Sequence, residues 1–112
     1  MIRSRFWTAL LFASFAGAAF AQAPAYPSKP IKWIVPYTPG GITDSVTRIV
    51  TQKLSEAIGQ PIVIENKPGA NSIVGADLVA KAPADGYTAL TVIAAHAANA
   101  TLYAGRIPFD PV

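Results

Sequence analysis

Short β-branched runs alternate along this chain with longer stretches whose apolar residues recur at helical spacing. Ile31-Lys32-Trp33-Ile34-Val35, enclosed by Pro30 and Pro36, predicts a strand with prolines at its ends, where a missing backbone donor does little harm. A turn, Tyr37-Thr38-Pro39-Gly40-Gly41, follows. From Thr43 the period changes: Val46, Ile49, Val50, Leu54, Ala57 and Ile58 make one apolar stripe, which predicts a helix with that stripe turned to the core. Arg48, Gln52, Ser55 and Glu56 take the other side. Thr43 or Asp44 caps the start, and Gly59 with Pro61 beyond it marks the stop.

Ile62-Val63-Ile64-Glu65 predicts a second strand, ended by Asn66-Lys67-Pro68-Gly69. A second helix is expected from about Ser72 to Ala82, followed by the turn Pro83-Ala84-Asp85-Gly86. Tyr87 to Ile93 reads as a third strand, apolar enough to be buried on both faces, and Ala94 to Ala104 as a loop or a short helix. Strand-helix-strand-helix-strand at this spacing is the pattern of right-handed βαβ units around a parallel sheet. The fold class is α/β.

The beginning of the chain reads differently. Met1-Ile2-Arg3-Ser4-Arg5 is positively charged, Phe6 to Phe20 is apolar and uncharged, and Ala19-Phe20-Ala21 fits a signal-peptidase site. Residues 1–21 are therefore expected to be a secretory signal peptide, with residues 22–112 working outside the cytoplasm without a membrane anchor. The apolar run is shorter than the ~20 residues a membrane span needs. Ala23 to Ser28 is an extended, proline-rich lead-in.

Removing the signal changes the charge argument. The formal charge of +3 includes Arg3 and Arg5, so the rest is nearly neutral and gives no case for nucleic-acid binding. The chain has no cysteine, which excludes a disulfide scaffold and a thiolate metal site. What remains suffices for one small domain at most.

In open parallel sheets, ligands sit beyond the carboxyl ends of the strands. Three segments have that position: Tyr37 to Asp44, Asn66 to Gly75 and Ala94 to Asn99. Gly40-Gly41 precedes a helix N-terminus, whose free N–H groups and positive dipole end favour an anion. Thr43 adds a hydroxyl donor. Gly69-Ala70-Asn71-Ser72 repeats the arrangement at the next helix. The alternative is that these glycines serve chain geometry alone. Asp44 is either a ligand contact or a helix cap.

His96, the only histidine, has three readings: general base, ligand donor or plain loop residue. It cannot build a zinc cluster alone. Neither a phosphate loop, nor G-x-G-x-x-G, nor a G-x-S-x-G elbow is present. No metal or cofactor is expected. Trp33 and Tyr87 read as strand and core residues, and Glu56, Glu65, Asp77 and Asp85 show no acid/base pairing.

Taken together, Tyr26-Pro27-Ser28-Lys29-Pro30-Ile31 and Ile34-Val35-Pro36-Tyr37-Thr38-Pro39-Gly40-Gly41-Ile42-Thr43-Asp44 resemble the substrate-binding proteins of tripartite tricarboxylate transporters, the Bug receptor family. The resemblance continues through Leu54 to Ala70, Gly75-Ala76-Asp77, Lys81 to Thr88, and Phe109-Asp110-Pro111-Val112. It implies a monomeric periplasmic receptor with two α/β lobes that close on a small organic carboxylate and deliver it to a membrane permease. Residues 22–112 would be the N-terminal, incomplete part of the first lobe, its βαβαβ portion.

The site residues carried over by the resemblance are Tyr37, Thr38, Gly40, Gly41, Thr43 and Asp44 in the first loop. Ala70, Asn71 and Ser72 follow in the second, and Ala95, His96 and Asn99 in the third. Tyr37 stands where phenylalanine is commoner, and Asn71-Ser72-Ile73 replaces a more glycine-rich stretch. Family receptors are also considerably longer. Two other readings are a non-functional truncated fragment of such a receptor and an α/β enzyme. An enzyme would need a nucleophile-base pair or a cofactor loop, and the sequence displays neither.

Overall fold

The structure is a computed structural model, and it describes residues 23–110. The signal peptide expected over residues 1–21 lies outside the described residues.

Three parallel strands form the sheet. β1 (Ile31–Val35) lies in the middle, β2 (Ile62–Asn66) on one side and β3 (Thr88–Leu90) on the other, in the order β2-β1-β3. Ile31 pairs with Ile62 and Val35 with Asn66, while Lys32 to Ile34 pair with Thr88 to Leu90. The central strand holds the core: Ile34 and Val35 have no exposed surface, and Pro36 beyond them is fully buried. The parallel α/β arrangement expected from the sequence is present.

α1 (Ile42–Ile58) crosses from β1 to β2. It lies on the Trp33 face of the sheet, where the Trp33 indole donates to Thr91 Oγ1 at 2.7 Å and Thr91 and Thr47 hydroxyls lie 3.1 Å apart. After a 3-10 turn at Ala70–Ser72 comes α2 (Ile73–Ala80), which lies on the opposite face. There Gly75 admits the close approach: a Cβ at this position would stand 2.6 Å from the Pro36 Cβ. α3 (Ala94–Leu102) follows β3, so the segment left open between loop and short helix is a helix.

Several expectations need correction. α1 begins at Ile42 with Gly41 as its N-cap and no side-chain cap bond, so neither Thr43 nor Asp44 caps it in the usual way. Its inward face is not the apolar stripe: Asp44, Thr47 and Thr51 are buried, whereas Val46, Ile49 and Val50 are more than half exposed. Only Leu54 and Ile58 of the stripe turn partly inward. The cause is hydroxyl back-bonding. Thr47 Oγ1 donates to the Thr43 carbonyl at 2.7 Å and Thr51 Oγ1 to that of Thr47 at 2.8 Å, so a polar face is buried without unpaired groups. α2 is shorter than expected. β3 spans three residues and is half-buried, because in this order it is an edge strand and not one covered on both faces.

Candidate ligand-binding site

All three strands end toward the same edge, and each is followed by a segment leading into a helix. None of the three helix N-termini has a side-chain cap bond: Gly41 before α1, Ser72 before α2 and Ile93 before α3. First-turn amides lack an i−4 partner within their own helix. Here the Ile73 amide donates to the Ala70 carbonyl and the His96 amide to that of Ile93 at 2.8 Å, and amides without such a partner are open to water or to an anion.

The first loop is tied down by Asp44. Its Oδ2 accepts from the Gly40 amide at 2.9 Å and from Arg48 Nε at 2.9 Å, and its Oδ1 accepts from Asn66 Nδ2 at 2.9 Å. Asn66 Nδ2 also donates to the Tyr37 carbonyl at 3.1 Å, and Arg48 Nη2 donates to Asn66 Oδ1 at 3.2 Å. The guanidinium of Arg48, aided by the Gly40 amide and Asn66, holds the Asp44 carboxyl well below the usual carboxylate range. Asp44 is only 2 % exposed, so its charge is spent on shaping the loop. Thr38, Gly40 and Gly41 remain exposed and Thr43 half-buried. The Tyr37 hydroxyl is buried without a hydrogen-bond partner among the described residues.

The second and third loops meet. Asn71 Nδ2 donates to Asn99 Oδ1 at 2.7 Å, Asn99 Nδ2 donates to the Asn71 carbonyl at 2.8 Å, and Ser72 Oγ shares a hydrogen bond with His96 Nδ1 at 3.1 Å. Asn99 and Ser72 are buried, Ala95 and His96 half-buried, and Ala70 and Asn71 exposed. The His96 ring stacks parallel to Phe109, with centroids 6.3 Å apart.

Arg48 and Asn66 were not singled out from the sequence. The Asp44–Arg48 spacing is an i,i+4 acid–base pair and was readable as such. Asn66 carried only a turn signal. Two hollows of about 400 and 240 Å³ open on the α1 side, one along Arg48, Gln52, Ile62 and Ile64, the other beneath Tyr26 and against Trp33 and Leu54. Neither is lined by a residue of the three loops. Among the described residues, no three His, Cys, Asp or Glu gather as for a metal ion, and no helix is long and apolar enough to cross a membrane.

Residues 46–112 match the tripartite tricarboxylate transporter family receptor, TctC. The chain is 46% identical to the protein BugT of Bordetella pertussis over 81 residues, covering 71% of this chain and 25% of BugT. Among solved structures it resembles MatC of Rhodopseudomonas palustris with bound malate (34% identity, TM-score 0.69, 77% of this chain and 29% of that one). It also resembles R. palustris Rpa4515 with adipate (43% identity, TM-score 0.57, 58% of this chain and 22% of that one). The chain thus spans about a quarter of the length of these proteins.

Proposed function

This chain belongs to the tripartite tricarboxylate transporter receptor family, and from that premise we propose that its three loops form one wall of a site for a small organic carboxylate. The observation that carries the reading is the set of three helix N-termini, all without side-chain caps, at one edge of the parallel sheet. Backbone amides and positive dipole ends would meet the carboxylate there, with no lysine or arginine required. Thr38, Gly41 and Thr43 offer donors from the first loop, where the Gly40 amide is already given to Asp44; Ala70, Asn71 and Ser72 offer them from the second, and Ala95 and His96 from the third. Tyr37, Asp44 and Asn99 shape these loops from within.

The ligands named for two structural neighbours, malate and adipate, support a dicarboxylate. In this reading residues 22–112 contribute the N-terminal part of the first lobe of a periplasmic receptor, which hands its ligand to a membrane permease. The role is binding and not turnover, and family membership supports this.

Thermal-shift screening against di- and tricarboxylates tests the reading. A carboxylate at a hundred times its dissociation constant adds about 2.7 kcal/mol of stability. Absence of a shift with every di- and tricarboxylate counts against the proposal.

A further inference from the structure

Between β2 and α2 the backbone holds three successive non-glycine residues at positive φ: Ala70 at 45°, Asn71 at 51° and Ser72 at 76°. L-residues avoid this region because their Cβ crowds the neighbouring carbonyl. Such a run persists only where the surroundings enforce it. Two side chains of α3 bond to this turn: His96, which shares a hydrogen bond with Ser72 Oγ at 3.1 Å, and Asn99, which holds it at both ends of its carboxamide. Asn99, on α3, has no exposed surface, and both ends of its side chain are spent on this turn. Its Oδ1 accepts from Asn71 Nδ2 at 2.7 Å, while its Nδ2 donates to the Asn71 carbonyl at 2.8 Å and lies 3.4 Å from Ser72 Oγ.

We infer that Asn99 is a positioning residue: its buried carboxamide locks the left-handed turn Ala70–Ser72, and so sets the backbone donors ahead of α2, without touching the ligand. Turning the carboxamide toward a ligand would break both of its bonds to Asn71 and release the turn. An apolar side chain of equal size would fill the space but leave the turn unlatched. The consequence for affinity rests on the carboxylate reading above; the consequence for the backbone does not.

Two readouts on the whole chain test this. Without ligand, NMR of the unaltered chain shows the strong intraresidue HN–Hα contacts of positive φ at residues 70–72, and Asn99→Ala loses them while the amide shifts of β1 and β2 stay in place. With malate as the probe, Asn99→Ala binds about tenfold more weakly, a loss of about 1.4 kcal/mol. Adding Ala70→Gly to that variant recovers affinity, because glycine takes positive φ without a Cβ penalty. A purely packing role for Asn99 gives no such rescue. Positive φ retained at residues 70–72 in Asn99→Ala overturns the inference, as does absence of rescue.

Should Asn99→Ala fail to fold, Asn71→Ala cuts the 2.7 Å bond from an exposed position. Loss of positive φ at Ala70 and Ser72 is then expected, and its retention overturns the inference. If malate does not bind the unaltered chain, the carboxylate reading fails by itself, and the backbone readout still decides the role of Asn99.

Discussion

Asn66, the last residue of β2, donates from Nδ2 to Asp44 Oδ1 in the first turn of α1 at 2.9 Å. This bond joins the end of one strand to the helix that follows its neighbour. With Arg48 and the Gly40 amide it leaves the Asp44 carboxylate fully engaged. A carboxyl whose pKa is lowered on folding adds stability that is present above its unfolded value, near 4, and is lost as pH falls toward the folded value. Stability is therefore expected to decline as pH drops below about 4. Asp44→Asn makes that decline shallower. It does not abolish it, because Lys32 lowers the Glu65 carboxyl in the same direction. Denaturant titrations at a series of pH values check this; an unchanged slope in the variant counts against it.

Gly75 meets Pro36 where α2 presses on the sheet. An added Cβ would stand 2.6 Å from the Pro36 Cβ and 3.2 Å from the Lys67 carbonyl oxygen, and neither neighbour is a flexible side chain. Gly75→Ala is expected to lose about 1–3 kcal/mol in urea titration. Ile34→Ala, which empties the centre of the sheet, loses about 2–5 kcal/mol. A neutral Gly75→Ala would mean that α2 moves freely on the sheet.

The buried Tyr37 hydroxyl has no partner among the described residues. A buried polar group left unpaired costs about 1–3 kcal/mol. Tyr37→Phe is accordingly expected to match or exceed the unaltered chain in thermal stability. A loss of more than about 1 kcal/mol, the typical worth of one hydrogen bond, would reveal a partner for the hydroxyl.

On α1 the two faces respond in opposite ways. Val46→Ser, Ile49→Ser and Val50→Ser change stability by about 0.5 kcal/mol or less each, since all three are more than half exposed. Thr51→Ala, on the buried face, loses about 1 kcal/mol with its bond to the Thr47 carbonyl. Chemical denaturation of the four variants separates the faces; the reverse ranking would put the apolar stripe inward after all.

That helix marks where sequence reading ends. The extent of β1 was legible to the residue, because Pro30 and Pro36 bracket it. The body of α1 was legible from its period, but its orientation was not. Thr47 and Thr51 count as polar in any hydropathy pattern, yet both bury by bonding carbonyls one turn back. The third helix was undecided because Ala94 to Ala104 is alanine-rich and has no apolar period. At the site, Asn71 and Asn99 could each be named, but not joined. They lie 28 positions apart, and only the parallel order of β1 and β3 brings α3 onto the turn before α2.

Amide chemical-shift mapping of the whole chain during a malate titration tests the carboxylate site most directly. Saturable shifts are expected at Gly40, Gly41 and Thr43, at Ala70 to Ser72, and at Ala95 and His96, with the amides of β2 and the middle of α1 unmoved. No saturable shift with malate or with adipate, or shifts confined to the hollow along Arg48, Gln52 and Ile62, would contradict it.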